Sequence, residues 1–115
     1  MRRLGLWFAI LGGAGLVLVA ARVPKPKPAA EAIRLNNLGV ATMNQQRFED
    51  ALKLFEQASA LDGELFAARL NQGIALLNLQ RYDAARAVLL DATRREPASA
   101  RAWYNLGLLY RSQGQ

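Results

Sequence analysis

The sequence predicts an all-α chain: a solenoid of helical hairpins, about two and a half repeats long, preceded by an N-terminal transmembrane or signal-anchor helix. Three observations predict it. The run from Leu4 to Ala21 is apolar and carries no charge, a Pro/Lys-rich stretch follows it, and from residue 31 onward the chain repeats itself every 34 residues. The predicted organisation is an anchor or signal peptide over 1–21, a linker over 22–30 and a repeat domain over 31–115. The repeat units lie near 32–65 and 66–99, with a partial unit at 100–115.

The first element is predicted from length and flanks. LGLWFAILGGAGLVLVAA holds eighteen uncharged residues, and as a helix it would cover roughly 27 Å, enough for the hydrocarbon core of a bilayer. Arg2 and Arg3 precede it, and Arg22, Lys25 and Lys27 follow. A retained single-pass anchor and a cleaved signal peptide both fit this arrangement, the run being longer than an ordinary signal core. A short basic tail before such a segment stays in the cytoplasm, which places the rest of the chain outside it, in the periplasm of a bacterial-type cell. Cleavage would leave the remainder secreted or periplasmic.

The linker follows from its prolines. Pro24, Pro26 and Pro28 alternate with Val23, Lys25, Lys27 and Ala29. Each proline fixes φ and disfavours helix in the residue before it, so an extended polyproline-II spacer is predicted over 22–30.

Charge separates the two halves. The chain carries 15 Lys/Arg and 9 Asp/Glu, net +6. Five of the basic residues precede Glu31 and no acidic residue does, so residues 31–115 carry only +1. A module this close to neutral lacks the basic field that displaces counterions from phosphates, and a nucleic-acid partner is not expected. Cysteine and histidine are absent, which removes thiol chemistry, a histidine base and zinc sites built on those ligands. No metal, no cofactor and no small-molecule substrate is expected.

The repeat domain is predicted from recurrence. Asn37-Leu38-Gly39, Asn71-Gln72-Gly73 and Asn105-Leu106-Gly107 are spaced by 34 residues, and the same shift carries Arg47-Phe48 onto Arg81-Tyr82, Ala51 onto Ala85 and Ala58 onto Ala92. Apolar periodicity within each unit predicts helices near 31–44, 48–61, 64–78, 82–94 and 98–112, broken at Gln45-Gln46, Asp62-Gly63 and Glu96-Pro97. Gly39 beside Ala51, and Gly73 beside Ala85, are expected to let paired helices approach closely. Leu35, Leu38, Phe55, Leu76 and Leu89 are expected to fill the wider gaps.

This pattern resembles the tetratricopeptide-repeat (TPR) family. The third unit carries the family's opening residues: Trp103, then Leu106-Gly107, then Tyr110. Thr42, Gly63, Arg69 and Gln72 depart from the pattern without breaking the register. The resemblance covers residues 31–115. It points to a membrane-anchored or exported bacterial-type member, and the apolar residues on several sides of helix 98–112 suggest an N-terminal fragment of a longer protein.

The resemblance implies a non-enzymatic scaffold or adaptor that binds a partner polypeptide in a concave groove lined by the first helix of each unit. The expected partner-binding residues are Asn37, Val40, Asn71, Ile74, Arg101, Asn105 and Leu108: an asparagine ladder for peptide backbone, aliphatic residues for apolar side chains, and one arginine. The alternative function is an adaptor region of a larger exported enzyme or β-propeller protein. Some relatives clamp a C-terminal carboxylate with Lys, Asn and Arg. Asn71 matches that set and Arg101 is a basic substitute, but Asn36, Val40 and Asn105 do not match, so the clamp is not carried over. The carboxylate pairs Glu49/Asp50 and Asp62/Glu64 are expected to be solvated surface rather than catalytic.

Overall fold

A computed structural model describes residues 5–12, 15–22, 24 and 27–114. Five helices form the repeat domain: α1 Pro28–Asn44, α2 Phe48–Leu61, α3 Phe66–Asn78, α4 Tyr82–Arg95 and α5 Ala100–Ser112. They form two layers. The odd helices touch one another in sequence, α1 with α3 and α3 with α5, while α2 packs between α1 and α3 and α4 between α3 and α5.

The turns repeat as faithfully as the helices. At the end of α1 the Gln46 N–H donates to Met43 O at 2.9 Å and the Arg47 N–H to Thr42 O at 3.2 Å. At the end of α3 the Gln80 N–H donates to Leu77 O and the Arg81 N–H to Leu76 O, both at 3.0 Å. These paired bonds are the Schellman closure, which satisfies orphan helix carbonyls by placing one residue in the left-handed region. Gln46 (φ 61°), Gln80 (φ 58°) and Gly114 (φ 74°) occupy that position in the three units.

Paired helices meet where glycine faces a large side chain. A Cβ on Gly39 would lie 2.5 Å from the Phe55 ring, and one on Gly73 would lie 2.9 Å from a Leu89 methyl. Phe55 and Leu89 are fully buried, and burial of each side chain contributes about 1.5–3 kcal/mol. Around them lie Ala51, Leu52, Leu70, Leu76, Ala85, Val88, Leu106 and Leu109, with a smaller cluster of Ala32, Leu35, Ala58 and Ala68 at the start of the array. Leu38 departs from its expected core role: it is 45% exposed.

The family-pattern departures have local explanations. Thr42 is buried and satisfies its hydroxyl by donating to Leu38 O at 2.8 Å. Arg69 reaches across to Asp91 on α4 at 3.7 Å. The Gly63 carbonyl accepts a 2.6 Å bond from Arg95.

Two expectations at the N-terminus are corrected. Within the Leu4–Ala21 segment, expected as a helix, the described residues form two antiparallel strands, β1 Gly5–Gly12 and β2 Gly15–Arg22, paired from Gly5 with Arg22 to Gly12 with Gly15. Gly5, Gly12, Gly13 and Gly15 each weaken a helix by about 1 kcal/mol, whereas Trp7, Phe8, Ile10, Val17 and Val19 favour extended chain. Among the described residues no helix is long and apolar enough to cross a membrane. The basic flank Arg2-Arg3, and Lys25 in the linker, lie outside the described residues. The second correction is that α1 starts at Pro28 rather than at residue 31. Lys27 keeps the extended geometry expected of the linker (φ −62°, ψ 143°), and Pro28 begins the helix, where its missing N–H costs nothing.

Candidate functional site

The odd helices bring the seven expected site residues onto one layer, and burial then divides them. Asn37 and Arg101 are exposed; Val40, Ile74 and Leu108 are half-buried; Asn71 and Asn105 are buried. Val40 and Ile74 pack their inner sides on the main core. These two and Leu108 occupy the same place in successive units, 34 residues apart, so each helix offers one aliphatic side chain partly open to solvent.

The asparagines do not form the expected ladder. Asn71 is 1% exposed, its amide N–H donates to Asn36 Oδ1 at 2.9 Å, and its Oδ1 accepts from the Arg101 guanidinium at 3.0 Å. Arginine can only donate, so this contact orients the Asn71 amide with its oxygen toward α5 and its NH2 toward α1. Asn71 therefore joins three odd helices through side-chain bonds and presents almost no surface. Moving the Asn36–Asn71 pair on by one unit gives Leu70 and Asn105. Leu70 cannot accept a hydrogen bond, and the Asn105 amide turns back to its own helix, donating to Arg101 O at 2.8 Å. Asn37 has no preceding unit among the described residues and stands exposed.

Asn36 is the residue that the 34-residue period did not mark as a partner of Asn71. Periodicity aligns equivalent positions, whereas contacts between neighbouring units join different positions, here 36 with 71. The available signal was that Asn36 is polar on the otherwise apolar face shared with Ala32 and Leu35.

The remaining polar surface of α5 is basic. Arg101 and Arg111 flank Tyr104 and Leu108 at spacings of three and four residues, and α5 contains no acidic residue. On α1, Arg34 donates to Glu31 at 2.6 Å, and this hydrogen bond holds the Glu31 carboxyl below its ordinary value and raises Arg34 in turn. Arg47 and Asp50 form a similar exposed pair at 2.8 Å. Such pairs contribute little stability in water.

Two layers of antiparallel helix hairpins, closed by the same turn at a fixed interval, define a helical-repeat protein. The chain belongs to the tetratricopeptide-repeat family, whose model matches residues 36–93 and 70–115. It is similar to Protein NPG1 of Arabidopsis thaliana, 32% identical over an alignment of 90 residues that covers 73% of this chain and 13% of that protein. The Arabidopsis OM64 TPR domain superposes with a TM-score of 0.71 at 17% identity, covering 75% of this chain and 71% of that one. The second TPR domain of human RPAP3, solved in complex with the HSP70 peptide SGPTIEEVD, superposes with a TM-score of 0.67 at 27% identity, covering 70% and 68%.

Proposed function

We propose that this chain is a protein-interaction scaffold, not an enzyme, which binds an extended polypeptide segment across the open face of α1, α3 and α5. The observation that carries the reading is the recurrence of a half-buried aliphatic residue, Val40, Ile74 and Leu108, at one position on three adjacent parallel helices. Half-burial fixes each side chain on the core while leaving apolar surface that water covers unfavourably. The human RPAP3 domain, similar in fold and bound to a peptide, supports the same use of this architecture. Asn37 and Arg101 supply exposed polar groups beside the aliphatic row, and Asn71 acts by holding the odd helices in register.

The reading extends to location. The Leu4–Ala21 segment associates the chain with a membrane, and the linker before α1 holds the 31–115 array off its surface, on the periplasmic side in a bacterial-type cell. Cleavage after that segment would instead release the array. Either way the segment serves as an address and the repeats as the working domain. A longer protein in which these repeats serve as adaptor to a further domain is the second reading. The matched stretch is only 13% of Protein NPG1, which favours it.

The test uses peptides selected by display against the chain, with binding mapped by amide chemical shifts. Shifts centred on Val40, Ile74 and Leu108, lost in Ile74→Asp but kept when exposed Lys53 on α2 is changed to Ala, are the expected result. A charge set against apolar ligand surface is costly. Shifts centred on α2 and α4 would place the site on the opposite layer and end the proposal.

A further inference from the structure

Val40, Ile74 and Leu108 form a row that steps from helix to helix, and the length of that step selects the conformation of a chain lying across it. α1 touches α3 and α3 touches α5. Asn71 is bonded to both neighbours, donating to Asn36 at 2.9 Å and accepting from Arg101 at 3.0 Å. Helices in such contact have axes about 8–10 Å apart, and equivalent residues on helices that run the same way recur at that distance. A β-strand returns a side chain to the same face every second residue, a step of about 6.6 Å, and the next return is at about 13 Å. Neither matches. A polyproline-II chain returns to the same face every third residue, a step of about 9.3 Å. Of the extended conformations, only this one keeps three successive side chains over three helices.

An α-helix would repeat a face every seven residues, about 10.5 Å, but it presents an apolar stripe about 100° wide. The row is too narrow for that. Asn37, Asn71 and Asn105 stand three residues before its members, and Asn44, Asn78 and Ser112 stand four residues after. Asn78 and Ser112 are held in place by donating to Ile74 O and Leu108 O at 2.9 and 2.8 Å. Their oxygens keep lone pairs for the backbone N–H groups that a polyproline-II chain leaves without internal partners. The row is also uneven in charge. On α5, Arg101 lies seven residues before Leu108 and Arg111 three after, which puts both on its stripe. The equivalent places are Ile33 and Met43 on α1, and Ala67 and Leu77 on α3, all uncharged. Arg101 uses one N–H on Asn71 and has others left.

Resting on the reading of this face as a peptide site, we propose that its ligand is a polyproline-II segment with an aliphatic residue at every third position and acidic side chains beside the one that lies over α5. The three aliphatic side chains meet Val40, Ile74 and Leu108 in turn, and the carboxylates meet Arg101 and Arg111. Side-chain carboxylates suffice, so the segment can lie within a longer partner chain rather than at its end. The proline-rich stretch of this chain is not that segment. Its Lys25 and Lys27 would set cations against the two arginines, and it carries no acidic residue.

The probe is a peptide blocked at both ends, acetyl-Leu-Pro-Pro-Leu-Pro-Pro-Leu-Glu-Glu-amide, titrated into the full chain alongside its reversed sequence and followed by amide chemical shifts. Saturable shifts at Val40, Ile74 and Leu108 are expected for one of the two directions. Binding should be about tenfold tighter than for acetyl-Leu-Pro-Leu-Pro-Leu-Glu-Glu-amide, whose leucines recur every second residue. Arg111 is exposed, so Arg111→Glu leaves the fold intact. It should weaken the probe about threefold, more at low salt than at high, and a probe with lysines in place of both glutamates should regain the loss. Structural damage would not be rescued in that way. Equal affinity for the two spacings, or an Arg111→Glu variant that binds both charge forms alike, would overturn the proposal. Shifts on the row would in that case leave the peptide-site reading standing. No saturable binding in either direction would overturn the proposal as well, while peptides selected by display without a fixed spacing decide the broader reading separately.

Discussion

Asn71 donates to Asn36 across 2.9 Å, and the two residues lie 35 positions apart, one more than the repeat period. The extra position arises because neighbouring odd helices touch through different faces, so the two helices contribute different residues to one contact. With Arg101 on the far side of Asn71, the contact ties three units together inside an otherwise apolar layer.

Asn71→Ala should therefore destabilise the fold by about 1–3 kcal/mol, by removing the partner of a largely buried Asn36 oxygen and of the Arg101 guanidinium. Asn36→Ala should cost less, since Asn71 keeps its bond to Arg101. A double-mutant cycle read from urea unfolding should give a coupling of about 0.5–1.5 kcal/mol. Additive losses would mean that the two amides do not interact in solution.

The glycine series separates close packing from helix propensity. Gly39→Ala places a methyl 2.5 Å from the Phe55 ring and should destabilise by about 1–3 kcal/mol through overpacking. Gly73→Ala should cost less, because the nearest atom, at 2.9 Å, ends the flexible Leu89 side chain. Gly107→Ala meets nothing and should stabilise by up to about 1 kcal/mol. Thermal melts of the three variants should rank in that order, and a destabilised Gly107→Ala would contradict the open space around that position.

Gln80 pays for its helix-closing turn with a left-handed backbone at φ 58°. The conformation costs a side-chain-bearing residue about 1–2 kcal/mol, against a smaller entropic penalty for glycine. Gln80→Gly should raise the unfolding midpoint by about 0.5–1 kcal/mol of stability while leaving the helical circular-dichroism spectrum unchanged. The same change at Gln46 (φ 61°) should act alike. A lowered midpoint at both sites would contradict the left-handed assignment.

The Leu4–Ala21 segment should be conformationally conditional. A two-stranded hairpin leaves outward backbone groups unpaired, which a hydrocarbon interior does not tolerate, whereas a helix satisfies them internally. Co-flotation of the full chain with lipid vesicles, abolished by deleting residues 1–27, is the expected result, with a gain of helical signal on vesicle addition. A full chain that stays with the soluble fraction, or floats without gaining helix, would remove the membrane role or its helical form respectively.

The 34-residue recurrence by itself determined the helix pairs and their breaks, because those depend on spacing along one chain; it set Gly39 beside Ala51 and Gly73 beside Ala85, whereas the side chains nearest these glycines are Phe55 and Leu89. Phe48–Leu61 was legible to the residue and α3 to within two at its start. The conformation of the Leu4–Ala21 segment was not legible, since the same apolar residues satisfy a helix in lipid and a hairpin in water, and its glycines and β-branched residues decide between them only through the surroundings. The placement of the seven residues on the odd-helix layer was legible, but not their division between surface and interior. Asn37, Asn71 and Asn105 are equivalent in sequence and unlike in structure: one stands exposed, one is bonded to units on both sides, and one turns back on Arg101 of its own helix. Only the tertiary structure decided which of them is enclosed and which exposed, because burial of an amide depends on the chemistry of the residue across the interface, and that residue comes from a different position of a different repeat.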